Sequence, residues 1–356
     1  MIERNVKKGN IKEDDEIFDA AGMYVVPGFV DTHMHAAKGK LFIDFDENTA
    51  KTVCEFEARM GTTSLAPAIS AAPEDKMKRA VKYIVNQSKN LPENCAKLMA
   101  VHLEGPFFAL GKKGAHLPEN IRIPTKEEFD RLYEAGEGLV KLITMAPEIQ
   151  NGCEVIKHIT STTDVEVSIG HTDATYDEAK CGFESGATRT THTYNAMSPL
   201  NHREPGVVGA ALTTDGVNCE MICDFFHVHP AAVKLVIDAK GYDNVTMVTD
   251  SEVGTGMPDG EFVVNGRVLT VKDKKTYTED GTIAGGTSVL LDGIKNVTSI
   301  GVPLNMAVKM ASFNGAKAIK AQDRIGSLDV GKDADIVVLD KDLNLVKVFL
   351  NGKEIM

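Results

Sequence analysis

The chain has 356 residues, 43% of them hydrophobic, enough for one large core and an accessory piece. Its 39 Lys and Arg stand against 51 Asp and Glu, a net charge of −12, which excludes general affinity for nucleic acid or an anionic membrane and leaves any anionic ligand to a locally basic site. No stretch approaches the ~20 apolar residues of a membrane span, the opening MIERNVKKGNIKEDDE lacks an apolar signal core, and six cysteines (Cys54, Cys95, Cys153, Cys181, Cys219, Cys223) form no CxxC pair, so the chain reads as a cytoplasmic protein with reduced thiols.

Eight β-rich runs recur over the first 250 residues: YVVPGFVDTHMH (24–35), GTTSLAPAI (61–69), KLMAVHLEG (97–105), LVKLITMAPE (139–148), DVEVSIGH (164–171), ATRTTHT (187–193), NCEMICDFFHV (218–228) and NVTMVTD (244–250). Helical patterns separate several of them, at 73–89, 125–136 and 176–186. Eight strands alternating with helices predict a closed (β/α)8 barrel of the TIM type, with chemistry at the strands' C-terminal ends. An open doubly wound sheet is the second choice, since no GxGxxG loop follows the first strand. After Asp250 the segment 260–286 alternates around an NG turn, as an inserted β-hairpin near 260–285 would. Helical stretches at 289–301 and 304–320 follow, and 333–356 returns to strand character around a second NG turn. Residues 1–22 and 325–356 are therefore expected to build a small β domain, reduced at its N-terminal side, around a barrel spanning 23–324.

Five of the eight runs end in residues of metal-ligand or acid–base type: His33 and His35, Glu104, His171, His192 and Asp250. A single histidine at a strand end is more often a hydrogen-bonded polar residue, but five such ends point to a site. His33 and His35 stand two apart on a strand and so face the same side, while Glu104, His171 and His192 supply a nitrogen, nitrogen and oxygen set that leaves room for water on a bound ion. Asp250 on the last strand is placed to move protons, although VTDSE would also serve as a helix N-cap.

HLEGPF (102–107), KKGAH (112–116), GHTDATYDEA (170–179), THTYNAMSPLNHREPG (191–206) and VTD (248–250), taken in order, resemble the amidohydrolase superfamily and within it the N-acetylglucosamine-6-phosphate deacetylases. The resemblance implies hydrolysis of an acetamide by water activated on a divalent metal, one or two ions per subunit, with zinc first and iron, cobalt or manganese as alternatives. It implies Glu104, His171 and His192 as primary ligands and His33 and His35 as the pair that admits a second ion. Asp250 becomes general base and acid, and His116 the polarising donor to the acetyl carbonyl. Asn195, Ala196, Arg203 and His227 become contacts of the sugar phosphate, and a homodimer is implied as well. N-acetylgalactosamine 6-phosphate, another N-acyl compound, or a non-catalytic module of this fold are the rival readings.

The chain departs from the family in three places. HAAKGK follows the histidine pair where a glycine-rich turn is usual, Phe225 stands near His227 where glycine is usual, and the stretch before PGFVD is short. His102, His158, His202 and His229 are expected to be structural, with His102 closest to the site because it shares a strand face with Glu104.

Overall fold

The computed structural model describes residues 17–264, 267–273, 275–279 and 283–356. Eight parallel strands form the barrel wall in chain order: Phe29–Met34 (β1), Thr62–Ser70 (β2), Val101–Glu104 (β3), Val140–Met145 (β4), Glu166–Ile169 (β5), Arg189–Thr190 (β6), Asn218–Ile222 (β7) and Val245–Val248 (β8). The ring closes where β8 meets β1: the Asp250 amide donates to His33 O at 2.8 Å, and the Thr249 hydroxyl to the Asp31 carboxylate at 2.6 Å. Strands buried on both faces read as nearly continuous apolar runs, as parallel sheets covered by helices do.

The run 24–35 is two strands. Tyr24–Pro27 pairs antiparallel with Ile336–Leu339 in a four-stranded sheet completed by Leu345–Leu350 and Lys353–Glu354, so both chain ends meet outside the barrel. The break falls at Gly28, whose amide donates to Asp335 O. A β-carbon there would lie 2.0 Å from Thr63 Oγ1, so only glycine lets the chain cross from one sheet to the other at this depth. Asn351 and Gly352, with φ of 50° and 82°, make the tight turn expected of the second NG pair. Residues 1–16, part of the small domain expected from sequence, lie outside the described residues, as does the first NG pair at 265–266.

The segment after β8 forms four antiparallel strands (Gly260–Val264, Arg267–Lys272, Lys275–Thr278, Ile283–Gly286) where a single hairpin was expected. It returns to the barrel at Gly286, whose carbonyl accepts the Glu252 amide. The stretch 304–320 is two helices, Leu304–Ala311 and Phe313–Ala318, broken at Ser312, whose hydroxyl takes the Val308 carbonyl. The second helix packs Ala316, with Ile319 and Ile325, onto Val30, Ala66, Ala100 and Leu142. That apolar plug fills the barrel's N-terminal mouth and leaves the C-terminal ends of the strands as the open side.

Candidate active site

The strand ends converge on one carboxylate. Glu104, the last residue of β3, has its Oε1 3.3 Å from His33 Nε2, 3.2 Å from His171 Nε2 and 3.4 Å from His192 Nε2. Its Oε2 lies 3.1 Å from His35 Nε2 and 3.3 Å from His116 Nε2. Asp250 closes the ring, its Oδ1 3.3 Å from His35 Nε2 and 3.5 Å from His33 Nε2. Of the residues singled out by sequence, His33, His35, Glu104, His116, His171, His192 and Asp250 thus meet in one place.

Local backbone explains how short strands aim their last residues inward. His171, His192 and Asp250 all lie in the left-handed region, with φ of 48°, 30° and 49°. Such a conformation costs a non-glycine residue on the order of 1–3 kcal/mol and survives only where the surroundings enforce it. Tyr194 and Ala196 continue the turn at 84° and 48°, and the Asn195 side-chain amide donates to His192 O at 3.1 Å. After His35 the HAAKGK stretch resolves into a two-residue hairpin: Ala36–Ala37 pairs with Lys40–Leu41, and Lys38 and Gly39 both have positive φ. Lysine and glycine at the tip thus replace a glycine-rich turn.

Hydrogen bonds fix the rings. His171 Nδ1 donates to Lys112 O at 2.8 Å and His33 Nδ1 to Glu220 Oε1 at 2.7 Å, so each ring turns its Nε2 toward Glu104. Buried His33 Nε2 has no hydrogen-bond partner among the described residues, and His171 Nε2 and His192 Nε2 face each other at 3.1 Å. Lone pairs crowded around a carboxylate repel unless a cation or protons sit among them, so the donor set fits a divalent ion. Among the described residues three groups have their ligand atoms within 4.8 Å of one another: Glu104 with His171 and His192, Glu104 with His33 and His35, and His33 with His102 and Glu220; the first two share Glu104.

Electrostatics follow the same geometry. Burial opposes charge on His35, but the Glu104 and Asp250 carboxylates push it up to about 10. His171, where burial dominates, falls to about 4. Burial would raise Asp250 too, yet His33 and His35 hold its carboxyl well below the usual range.

Several supporting residues escaped the sequence reading. Glu220, in the middle of β7, also accepts the His192 amide at 3.1 Å, and Arg189 stands 3.6 Å from its other oxygen. Ser70 at the end of β2 is 3.0 Å from His35 Nδ1. Their chemistry was visible but their partners were not, since His33 and Glu220 lie 187 positions apart. His102 is fully buried, its ring nitrogens on Thr32 O and Thr144 Oγ1, and burial takes it down to about 3.

The polar rim is looser. His227 pairs with Asp224 at 2.7 Å; burial works against a charge on it, but that contact raises its pKa above the ordinary value. Phe226 lies edge-on to His227, and Lys275 of the inserted sheet sits 4.4 Å over the Phe226 ring, whereas half-buried Phe225 packs on the core. Arg203 is exposed in the connection between β6 and β7.

The profile of the amidohydrolase family matches residues 24–355, the whole barrel and the terminal sheet. The chain belongs to the amidohydrolase family. Among its relatives, an N-acetylglucosamine-6-phosphate deacetylase of Bacillus subtilis is 34% identical over 341 residues, 95% of this chain and 86% of that one. An N-acetylgalactosamine-6-phosphate deacetylase of Escherichia coli O157:H7 is 32% identical over 328 residues, 92% of this chain and 86% of its own. A variant of the Mycobacterium smegmatis N-acetyl-D-glucosamine-6-phosphate deacetylase, solved in complex with N-acetyl-D-glucosamine-6-phosphate, superposes with a TM-score of 0.87 at 32% identity, covering 94% of this chain and 87% of that one. The amidohydrolase barrel expected from sequence is thus the fold observed. No helix among the described residues is long and apolar enough to cross a membrane.

Proposed function

We propose that this amidohydrolase removes the acetyl group from N-acetylglucosamine 6-phosphate, releasing acetate and glucosamine 6-phosphate in amino-sugar breakdown. The observation that carries the reading is Glu104, set among five imidazoles with Asp250 beside them. Glu104, His171 and His192 would hold the primary divalent ion, with His33 and His35 available for a second. When bound, the ion supplies Lewis-acid polarisation of the acetamide carbonyl and lowers the pKa of water. Zinc suits such ligands best, with iron, cobalt and manganese as alternatives.

The chain's own residues do the rest. Asp250, kept ionised by its histidine neighbours, takes a proton from the attacking water and returns it to the departing nitrogen, so the amine leaves neutral. His116 reaches the Glu104 carboxylate from the loop after β3 and would donate to the developing oxyanion. His227, whose Asp224 contact favours its protonated form, and Arg203 would bind the phosphate dianion, while the backbone around Asn195 and Ala196 would meet the sugar. The protein is taken to act in the cytoplasm as a homodimer.

A second reading, the galacto epimer, is favoured by the relative named for it. Acetate release from the two epimeric 6-phosphates and from unphosphorylated N-acetylglucosamine, before and after chelation and metal restoration, separates these readings. Release from the gluco phosphate that is lost on chelation and regained with metal is expected. Faster release from the galacto phosphate would move the assignment, and no release from any of them with metal bound would overturn it.

A further inference from the structure

We propose that Cys153 and Cys181 form a modification site, a thiol pair on the outer wall of the barrel that peroxide converts reversibly to a disulfide. The two sulfurs lie 3.0 Å apart, with the Cys153 thiol donating to Cys181 Sγ and lying 3.6 Å from Pro147 O. Cys153 opens the helix Gly152–Thr162 after β4, and Cys181 sits in the helix Tyr176–Glu184 after β5. These are neighbouring helices, so the pair bridges two consecutive strand–helix units.

The approach is built into the backbone. Each cysteine has a glycine beside it where nothing larger fits. A β-carbon on Gly152 would lie 2.4 Å from Pro147 O, and one on Gly182 would lie 2.7 Å from Ile169 Cδ1 and 2.8 Å from Pro147 Cβ. Both helices therefore press onto the same Pro147 corner, and the thiols are held face to face as a result. Accessibility singles out this pair: Cys181 is exposed and Cys153 partly so, whereas Cys54, Cys95, Cys219 and Cys223 are buried.

The roles of the two thiols differ. Burial, followed by the contact with Cys181, raises the Cys153 thiol to about 11, so it keeps its proton and serves as donor and resolving partner. Exposed Cys181, accepting that hydrogen bond, is the attacking sulfur. Its thiolate attacks one oxygen of hydrogen peroxide, the O–O bond breaks, and a sulfenic acid and hydroxide result; the hydroxide takes up a proton to become water. Cys153 sulfur then attacks Cys181 sulfur, the S–O bond breaks, and the leaving hydroxide departs as a second water with the Cys153 proton. Two thiols are oxidised by two electrons and one peroxide is reduced to two waters; a dithiol reductant reverses the step.

This inference stands apart from the proposed catalytic role. The metal-loaded protein is treated with hydrogen peroxide, free thiols are blocked by alkylation, and proteolytic peptides are read by mass spectrometry with and without dithiothreitol. A peptide linking Cys153 to Cys181, two hydrogens lighter than the separate pieces and released by dithiothreitol, is expected, together with the loss of two reactive thiols. Oxidation of Cys181 to sulfinic or sulfonic acid with Cys153 still alkylated would overturn the proposal, as would a disulfide joining two copies of the chain. Cys153→Ser, which keeps the side chain's size and leaves Cys181 in place, is expected to send Cys181 on to these higher oxidation states. Unchanged protection of Cys181 in that variant would refute the resolving role.

Discussion

Glu220 is one carboxylate serving both halves of the imidazole cluster, and its replacement by Gln gives a sharp forecast. In Glu220→Gln the shape is retained, but the charge that receives His33 Nδ1–H at 2.7 Å and the His192 amide at 3.1 Å is removed. A hydrogen bond to a charged group contributes about 1.5–3 kcal/mol and a neutral one about 1, so His33 alone loses on the order of 1–2 kcal/mol of orientation. Arg189, 3.6 Å from the second oxygen, would then face an amide, with Glu166 at 3.8 Å its remaining carboxylate. Losses behind a metal ligand of this kind weaken affinity roughly 10- to 100-fold. Competition of the metal-stripped protein against a chromophoric chelator measures that affinity directly, and a thermal melt of the same variant reports whether the fold survives. A folded variant with unchanged affinity would refute the view that Glu220 orients the ligands. A second signature separates orientation from general damage: because Glu220 touches both His33 and His192, occupancy of both ion positions should weaken together.

Three further outcomes follow from the same geometry. Asp250→Asn is expected to bind metal normally while turnover falls about 10²- to 10⁴-fold, the range for loss of a proton-transferring group; near-normal acetate release would remove the role. Arg203→Ala should raise KM for the 6-phosphate and leave hydrolysis of the unphosphorylated sugar unchanged, read from steady-state kinetics on the two substrates; equal effects on both would place Arg203 away from the phosphate. Glu57, fully buried and with one oxygen lacking a hydrogen-bond partner among the described residues, is pushed up to about 8 by burial and by nearby Asp31. Its folded pKa lies above its unfolded one, so its contribution is fully present below about pH 4 and is lost as pH rises toward 8; thermal melts from pH 5 to 9 should show Glu57→Gln losing less stability on the alkaline side than the parent chain.

The chemistry was legible because it sits where strands end. A run of apolar residues closing on His, Glu or Asp announces both the strand and the group it delivers, and β1, β3, β5 and β8 do so, while β6 shows instead a threonine-rich run before His192. Helices were read unevenly for physical reasons. Glu74–Asn90 alternates buried and exposed positions clearly, whereas Gly206–Thr213 is apolar nearly throughout and has no face to reveal. Pro230–Lys240 is capped by the His229 side chain, not by the Ser, Thr, Asp or Asn that marks a helix start, so its beginning carried no signal.

What sequence order could not supply was contact across the barrel. The split of the first run at Gly28 depends on Thr63 and Asp335, and the tautomer of His33 depends on Glu220, each far away along the chain. The strand ends name the candidate groups, but their orientation comes from residues such as Glu220 and Arg189 whose partners lie on other strands, far away along the chain. That division explains why changes at Glu220 or Arg189, neither of which ends a strand, should alter the site nearly as much as changes to the ligands. Left-handed turns at His171, His192 and Asp250 sharpen the point: such backbone conformations persist only where their surroundings enforce them, and here hydrogen bonds between strands and loops do so. The amides of His192 and Asp250 are bonded to Glu220 and to His33 O, so the barrel's closure and the aim of its acid–base groups are the same set of contacts.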